Sequence, residues 1–318
     1  MKLLKYNLLV LFIMITQLAS TQPGFNLVRD TGFPQNHFYD LLVDNDTIIG
    51  YGLCFNDTVE WRQGLLLSKF DTLGNHIYSR IILDSLDDVL TIDKLWGKII
   101  KTSDGGYAIT AATFYRESAF LIKVSHNLEV EFIKEYPDTV NLSNYFYKLF
   151  EISDGYILYG GIQRPNFQNQ GFIRRVDYEG NTIWFDYFGP YDNSDNLLDG
   201  QKINDSLYVF AGVVRNITQN QSISTILLVD EYGNVVDEWE SEIEPEIGYF
   251  RKILLTPEGG FLTFGLQPVD IIGSTVLVQP TLAKLSADFE IEWVKPYGLI
   301  ASLNSQVRFL DIEPTSDG

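Results

Sequence analysis

Apolar and polar residues alternate in short runs along nearly the whole chain, with Asp, Gly and Asn clusters falling between runs about every ten residues. Alternation of this kind fits strands whose two faces differ. No stretch keeps the i, i+3, i+4 spacing of an amphipathic helix. Residues 145–152, 156–161, 171–176 and 182–188 illustrate the pattern as four successive strand-like runs. Asp154-Gly155 joins the first two, and Asp177-Tyr-Glu-Gly180 joins the last two, both with residue types that accept a tight turn. The chain is therefore expected to be all-β and built from antiparallel hairpins.

The same unit returns along the sequence. Lys101-Thr-Ser-Asp-Gly-Gly-Tyr107 is echoed by Glu151-Ile-Ser-Asp-Gly-Tyr156 and Leu255-Thr-Pro-Glu-Gly-Gly-Phe261, and more weakly around Asp46 and Asp205. The acidic turn positions Asp46, Asp104, Asp154, Asp205, Glu258 and Asp317 stand 58, 50, 51, 53 and 59 residues apart. A second landmark keeps the same phase: Leu67-Ser-Lys-Phe-Asp71, Leu121-Ile-Lys-Val-Ser125, Ile173-Arg-Arg-Val-Asp177, Leu227-Leu-Val-Asp230 and Leu282-Ala-Lys-Leu-Ser286. Four strands per period of about 50 residues is the arithmetic of a β-propeller blade. The expected fold is a β-propeller of four-stranded antiparallel blades, five complete and a sixth partial.

Blade boundaries are expected near 36–92, 93–144, 145–196, 197–249 and 250–305 within one domain spanning 22–318. Residues 306–318 repeat the opening of a blade and stop inside its first turn, whereas 25–32 resemble a fourth strand without its three predecessors. The expectation is a truncated ring whose last blade would be completed by the N-terminal strand. Trp184, Trp239 and Trp293 are expected to pack between neighbouring sheets.

Asp104-Gly-Gly-Tyr107, Leu67-x-Lys-x-Asp71, Gly180-Asn-x-x-Trp184 and Tyr187-x-Gly189 together resemble the repeats of secreted bacterial propeller proteins of kelch or quinoprotein type. The resemblance covers residues 25–318. Many of that group carry a C-terminal type IX secretion sorting domain, so it implies export and a propeller fold while leaving the role open. It also implies that Thr47, Thr58, Thr72, Ser85, Thr139 and Ser206, each following Asp and preceding an aliphatic residue, resemble O-glycosylation acceptors; they are equally ordinary turn residues.

The N-terminus changes the picture of location. Lys2 and Lys5 precede the apolar run Leu8 to Ile15, and Ala19 and Thr21 suit a small-x-small cleavage rule, which predicts a signal peptide over 1–21. The run is too short to span a bilayer. A secreted, extracellular or cell-surface location follows as an expectation. In the whole chain 42 acidic residues face 23 basic ones, a formal charge of −19. Such a balance argues against nucleic acid and against anionic lipid as partners. Cys54 is the one cysteine, so no internal disulfide can form.

Chemistry is sparse. His37, His76 and His126 lack metal-ligand spacing, and no Gly-x-Ser-x-Gly elbow, His-Glu-x-x-His or Walker loop occurs. No catalytic residue and no cofactor is assigned. The loop 191–200 offers Asp192, Asn193, Asp195 and Asp199 as oxygen ligands for Ca²⁺, at a spacing unlike the EF-hand; a solvated connection between blades is the competing reading. The connections between second and third strands differ most from blade to blade. They carry Trp61, Arg62, Tyr115, Arg116, Arg164, Phe167 and Arg215, residue types that dominate binding hot spots, against unselected loop variation as the alternative. Connections between blades should share that face. These features favour a secreted binding or interaction module for an extracellular protein or glycan. The alternative is a secreted glycoside hydrolase or lyase on the same scaffold, which would need paired carboxylates.

Overall fold

The computed structural model describes residues 35–56, 62–83, 90–91, 98–113, 118–138, 140–166, 168–189, 194–216, 221–241, 249–272, 275–298 and 300–302. They form five antiparallel sheets and no helix. Sheet I comprises β1 (Gln35–Asp44), β2 (Thr47–Asn56), β3 (Arg62–Asp71) and β4 (His76–Ile82). Sheet II comprises β5 (Leu90–Thr91), β6 (Ile99–Lys101), β7 (Tyr107–Thr113), β8 (Ala119–Val124) and β9 (Val130–Tyr136), with β5 and β6 both pairing β7. Sheet III is β10 (Ser143–Ile152), β11 (Gly155–Gln163), β12 (Asn169–Asp177) and β13 (Thr182–Phe188). Sheet IV is β14 (Ser194–Asn204), β15 (Leu207–Asn216), β16 (Gln221–Asp230) and β17 (Val235–Glu240). Sheet V is β18 (Tyr249–Leu255), β19 (Phe261–Ile272), β20 (Thr275–Leu285) and β21 (Ile291–Pro296), with β22 (Ala301–Ser302) added on β20. Each sheet follows chain order as an up-and-down meander, and the repeated sheets make the chain a β-propeller. Residues 1–34 and 303–318, to which the sequence assigns the signal peptide and the split final blade, lie outside the described residues.

Turn chemistry sets the hairpins. At Asp71, Asp177 and Asp230 one carboxylate accepts from several backbone amides of the turn and from the side chain of the Asn four residues on, for example Asn181 N and Nδ2 at 2.7 and 3.0 Å from Asp177. Gly74, Gly180 and Gly233 take the left-handed position, with φ of 80°, 77° and 91°. Burial alone would raise the Asp177 carboxyl; the hydrogen bonds from Asn181 and Glu179 outweigh it and hold it below the usual range. Leu128 and Phe289 occupy the same left-handed position in sheets II and V. Strain of this kind costs about 1–3 kcal/mol, and here both side chains are buried, which offsets it.

Alternation along the strands buries both faces of each middle strand. On β15, Tyr208 and Phe210 pack toward sheet III, whereas Val209 and Ala211 pack toward sheet V. The core is accordingly four apolar layers between consecutive sheets. Trp184 donates from Nε1 to the Glu231 carbonyl of sheet IV at 2.9 Å, and Trp239 stacks on Phe250 of sheet V with centroids 5.8 Å apart. Both therefore pack between neighbouring sheets, as expected from the sequence. Trp293 lies beneath Lys295, whose Nζ is 4.7 Å from its ring. No helix among the described residues is long and apolar enough to cross a membrane.

A β-bulge interrupts the first strand of sheets I, III, IV and V at one repeated place. The residues just after it are Asp40, Lys148, Asp199 and Lys252, and the hairpin register puts Lys98 at the same position in sheet II. Asp199 accepts from Lys148 Nζ of sheet III at 2.6 Å and from the Ile253 amide of sheet V at 2.9 Å. Asp40 likewise accepts from the Ile99 amide at 3.2 Å, with Lys98 Nζ at 3.7 Å. Side-chain charges thus clasp neighbouring inner strands together.

Candidate functional site

Antiparallel pairing fixes which loops share an end. Gln163 opposes Asn169 and Phe188 opposes Gly171, so the β11–β12 loop and the β13–β14 connection emerge together, as expected from the sequence. At this loop end, sheet III carries a depression of about 250 Å³ lined by Ser143, Tyr145, Tyr147, Gln163 and Asn169. The Tyr147 hydroxyl donates to Asn196 Oδ1 of sheet IV at 3.3 Å, and the Asn169 amide donates to Ser194 Oγ at 3.2 Å. Gly161 makes room for this contact, since a Cβ there would stand 2.6 Å from the Tyr147 hydroxyl. The lining is aromatic with neutral hydroxyl and amide groups.

Asp195 lies beside this depression on β14 and is 4% exposed. Among the described residues neither of its carboxylate oxygens has a hydrogen-bond partner. Burial pushes its carboxyl up to about 7; Arg164 opposes the shift and Glu240 and Glu238 add to it. The repeat explains this arrangement. Three residues before the bulge, β10 carries Asn144 where β14 carries Asp195. Asn144 Oδ1 accepts from the Ala119 amide at 2.6 Å, and its Nδ2 donates to the Tyr136 carbonyl at 2.7 Å, bridging a cross-strand pair of the preceding sheet. The corresponding pair before Asp195 is Gly171 and Phe188. An ionised carboxylate has no proton to donate to a carbonyl, whereas a neutral carboxyl has the donor–acceptor pattern of the amide.

The residues singled out from sequence meet different outcomes. Trp61, Tyr115, Arg116, Phe167, Asp192 and Asn193 lie outside the described residues, and Arg62 begins β3 with its side chain undescribed. Arg164 and Arg215 both come to the loop end, Arg215 opposite Ser194 on β15 and exposed. Arg164 is 2% exposed in its five-residue loop and acts electrostatically on Asp195. Of the proposed Ca²⁺ ligands, Asp199 is engaged by Lys148 and Ile253, and no group of three or more His, Cys, Asp or Glu able to hold a metal occurs among the described residues. Cys54 is buried, and burial pushes its thiol up, the opposite of nucleophile activation. Sequence reasoning missed the depression and the Asn144–Asp195 correspondence. A signal for the second was present, because Ser143-Asn144 and Ser194-Asp195 stand 51 residues apart in the phase of the repeat.

The fold is a β-propeller that carries a small polar depression at the loop end of sheet III. No family model and no curated protein matches the chain. Among solved structures it is similar to a GH43 β-1,3-galactosidase (10% identity, 79% of this chain and 91% of that one, TM-score 0.43). It is also similar to the open-velcro β-propeller domain of the trilobed protease from Pyrococcus furiosus (12%, 83% of each chain, 0.44). A third is an exo-β-1,3-galactanase from Clostridium thermocellum (13%, 85% and 62%, 0.44). With every one of these TM-scores below 0.5, the propeller is defined by its own strand pairing, and no activity carries over.

Proposed function

We propose that this chain is an exported propeller that binds a glycan at the loop end of sheets III and IV. The observation that carries the reading is the depression formed by Tyr145, Tyr147, Ser143, Gln163 and Asn169. Aromatic faces beside neutral donors and acceptors match a ligand rich in hydroxyl groups and poor in charge. Export is supported by the basic and apolar segments of residues 2–15, and the resemblance to secreted bacterial propellers adds type IX secretion to the proposal.

A glycoside hydrolase or lyase on the same scaffold is the second reading. Its support is Asp195, whose elevated proton affinity suits a general acid, with Glu238 and Glu240 in its electrostatic neighbourhood. Its position weighs against it, since Asp195 occupies the place where Asn144 ties two sheets together. A glycan array run alongside reducing-sugar release decides between them. Binding that falls about tenfold or more in Tyr145→Ala, without product formation, is the expected result. Product release abolished by Asp195→Asn would establish the hydrolase instead, and failure of every glycan to bind would sink the proposal.

A further inference from the structure

The opposite end of the sheets, where the hairpins lie, repeats one construction at each junction. Register places Lys69, Lys123, Arg175, Leu228 and Lys284 at one position just before the third-strand bulge, opposite Tyr78, Phe132, Trp184, Asp237 and Trp293. Between sheets III and IV the space is filled. Arg175 donates to the Glu231 carbonyl at 2.5 Å and to Asp154 at 2.9 Å, and Trp184 reaches the same carbonyl. Between sheets I and II it is filled differently: Asp44 accepts from Lys101 at 2.5 Å and from the Tyr107 hydroxyl at 2.7 Å, with His126 Nδ1 at 3.9 Å.

Between sheets II and III both fillings are missing. Lys123 and Phe132 replace the longer Arg and the hydrogen-bonding Trp, and Thr102 stands where sheet I has Asp44, its hydroxyl turned to Asp104 at 2.5 Å. A cavity of about 540 Å³ occupies the gap. Tyr156, the equivalent of Tyr107, lines it and is 1% exposed, and among the described residues its hydroxyl makes no hydrogen bond. Tyr107 gives its hydroxyl proton to Asp44, whereas Thr102 turns away to Asp104 and leaves the Tyr156 hydroxyl open on the cavity for an entering group. Phe132 and Tyr178 supply further aromatic walls, with Tyr178 edge-on to Tyr156 at 5.6 Å.

The charge of the lining is one-sided. Asp104, Glu131, Glu151 and Glu179 face a single cation, Lys123, whose ammonium already holds Asp104 at 2.8 Å and Glu131 at 3.1 Å. Glu151 is fixed in place by the Ser103 amide and hydroxyl, both at 2.8 Å. Aromatic faces next to surplus carboxylates attract organic cations. We propose that this cavity takes a basic side chain of a partner protein, an ammonium or guanidinium on an aliphatic stem, with Glu151 and Glu179 balancing its charge and the Tyr156 hydroxyl accepting one of its N–H bonds. The site is independent of the glycan reading and lies at the other end of the sheets.

Titration calorimetry with Nα-acetyl-lysine methylamide and its arginine counterpart tests this, with the uncharged norleucine analogue as control. Saturable binding of the cations, about tenfold or more tighter than norleucine, is expected. Tyr156→Phe should weaken it by about 3- to 10-fold. The double variant Lys123→Arg, Phe132→Trp copies the filled III–IV junction and should abolish cation binding while leaving glycan binding and thermal stability intact. Equal binding of norleucine, or cation binding that survives in the folded double variant, overturns the proposal. If the double variant does not fold, Tyr156→Phe and Glu151→Gln decide it, and unchanged affinity in both refutes it.

Discussion

Replacing Asp195 by asparagine should remove a pH-dependent penalty from the fold. In the unfolded chain this carboxyl ionises near its ordinary 3.8, whereas burial holds it at about 7 in the folded protein. Between those values the folded chain keeps a proton that the unfolded chain has lost. Stability therefore falls as pH rises through the window and levels off above about 7. A displacement of about three units, at roughly 1.4 kcal/mol each, sets a ceiling of about 4 kcal/mol on the loss. The substituted side chain would carry no charge and would present the donor–acceptor pair with which Asn144 bridges Ala119 and Tyr136. Urea denaturation of both proteins from pH 4 to 9 measures the effect. The two should match near pH 4, and the variant should gain progressively up to pH 8. The difference between the proteins cancels carboxylates with lowered pKa, such as Asp104, whose contribution is lost only on acidification. A difference that does not vary with pH, or a variant less stable at pH 8, would refute the reasoning.

Two further outcomes are expected. Asp199→Ala leaves the Lys148 ammonium and the Ile253 amide without their shared acceptor, so urea midpoints should show a loss of about 3–5 kcal/mol, as for other broken buried pairs. A loss below about 1 kcal/mol would mean that the clasp is solvated. Gly189→Ala places a Cβ 1.9 Å from Asp195 Oδ2 at a φ of 91°, and thermal unfolding should report destabilisation of at least about 2 kcal/mol. Retention of the glycine's stability there would show that the connection relaxes freely.

The fold is legible in the sequence because its signals are local. The Asp-x-x-Gly-Asn turn contains its own hydrogen bonds, so Asp177 and Asn181 announce a hairpin without reference to any other repeat. The contents of the junctions are not legible, because each is assembled from side chains about fifty residues apart. Aligning them depends on a bulge at Tyr39, Tyr147, Leu198 or Arg251, none of which is a glycine or otherwise marks the interruption. Arg164 reads as a surface loop residue from its position between strands, yet a loop of five residues leaves its direction to the local backbone. Asp195 reads as one of a run of loop acids, whereas it is the second residue of a strand, where burial changes its chemistry.

The four apolar layers carry a consequence for how such a chain diversifies. Each layer draws on two consecutive sheets and on nothing further away. Stability is then close to a sum of nearest-neighbour terms. Duplicating one unit adds a single seam, deleting an internal one replaces its two seams by one, and the remaining seams stay as they were. The polar residues at the seams are under no shared constraint: one holds Asp44 with Lys101, another Arg175 with Trp184, and a third is left open beside Tyr156. Repetition of the framework thus makes every seam a separate compartment, in which new recognition chemistry can arise without disturbing the rest of the molecule.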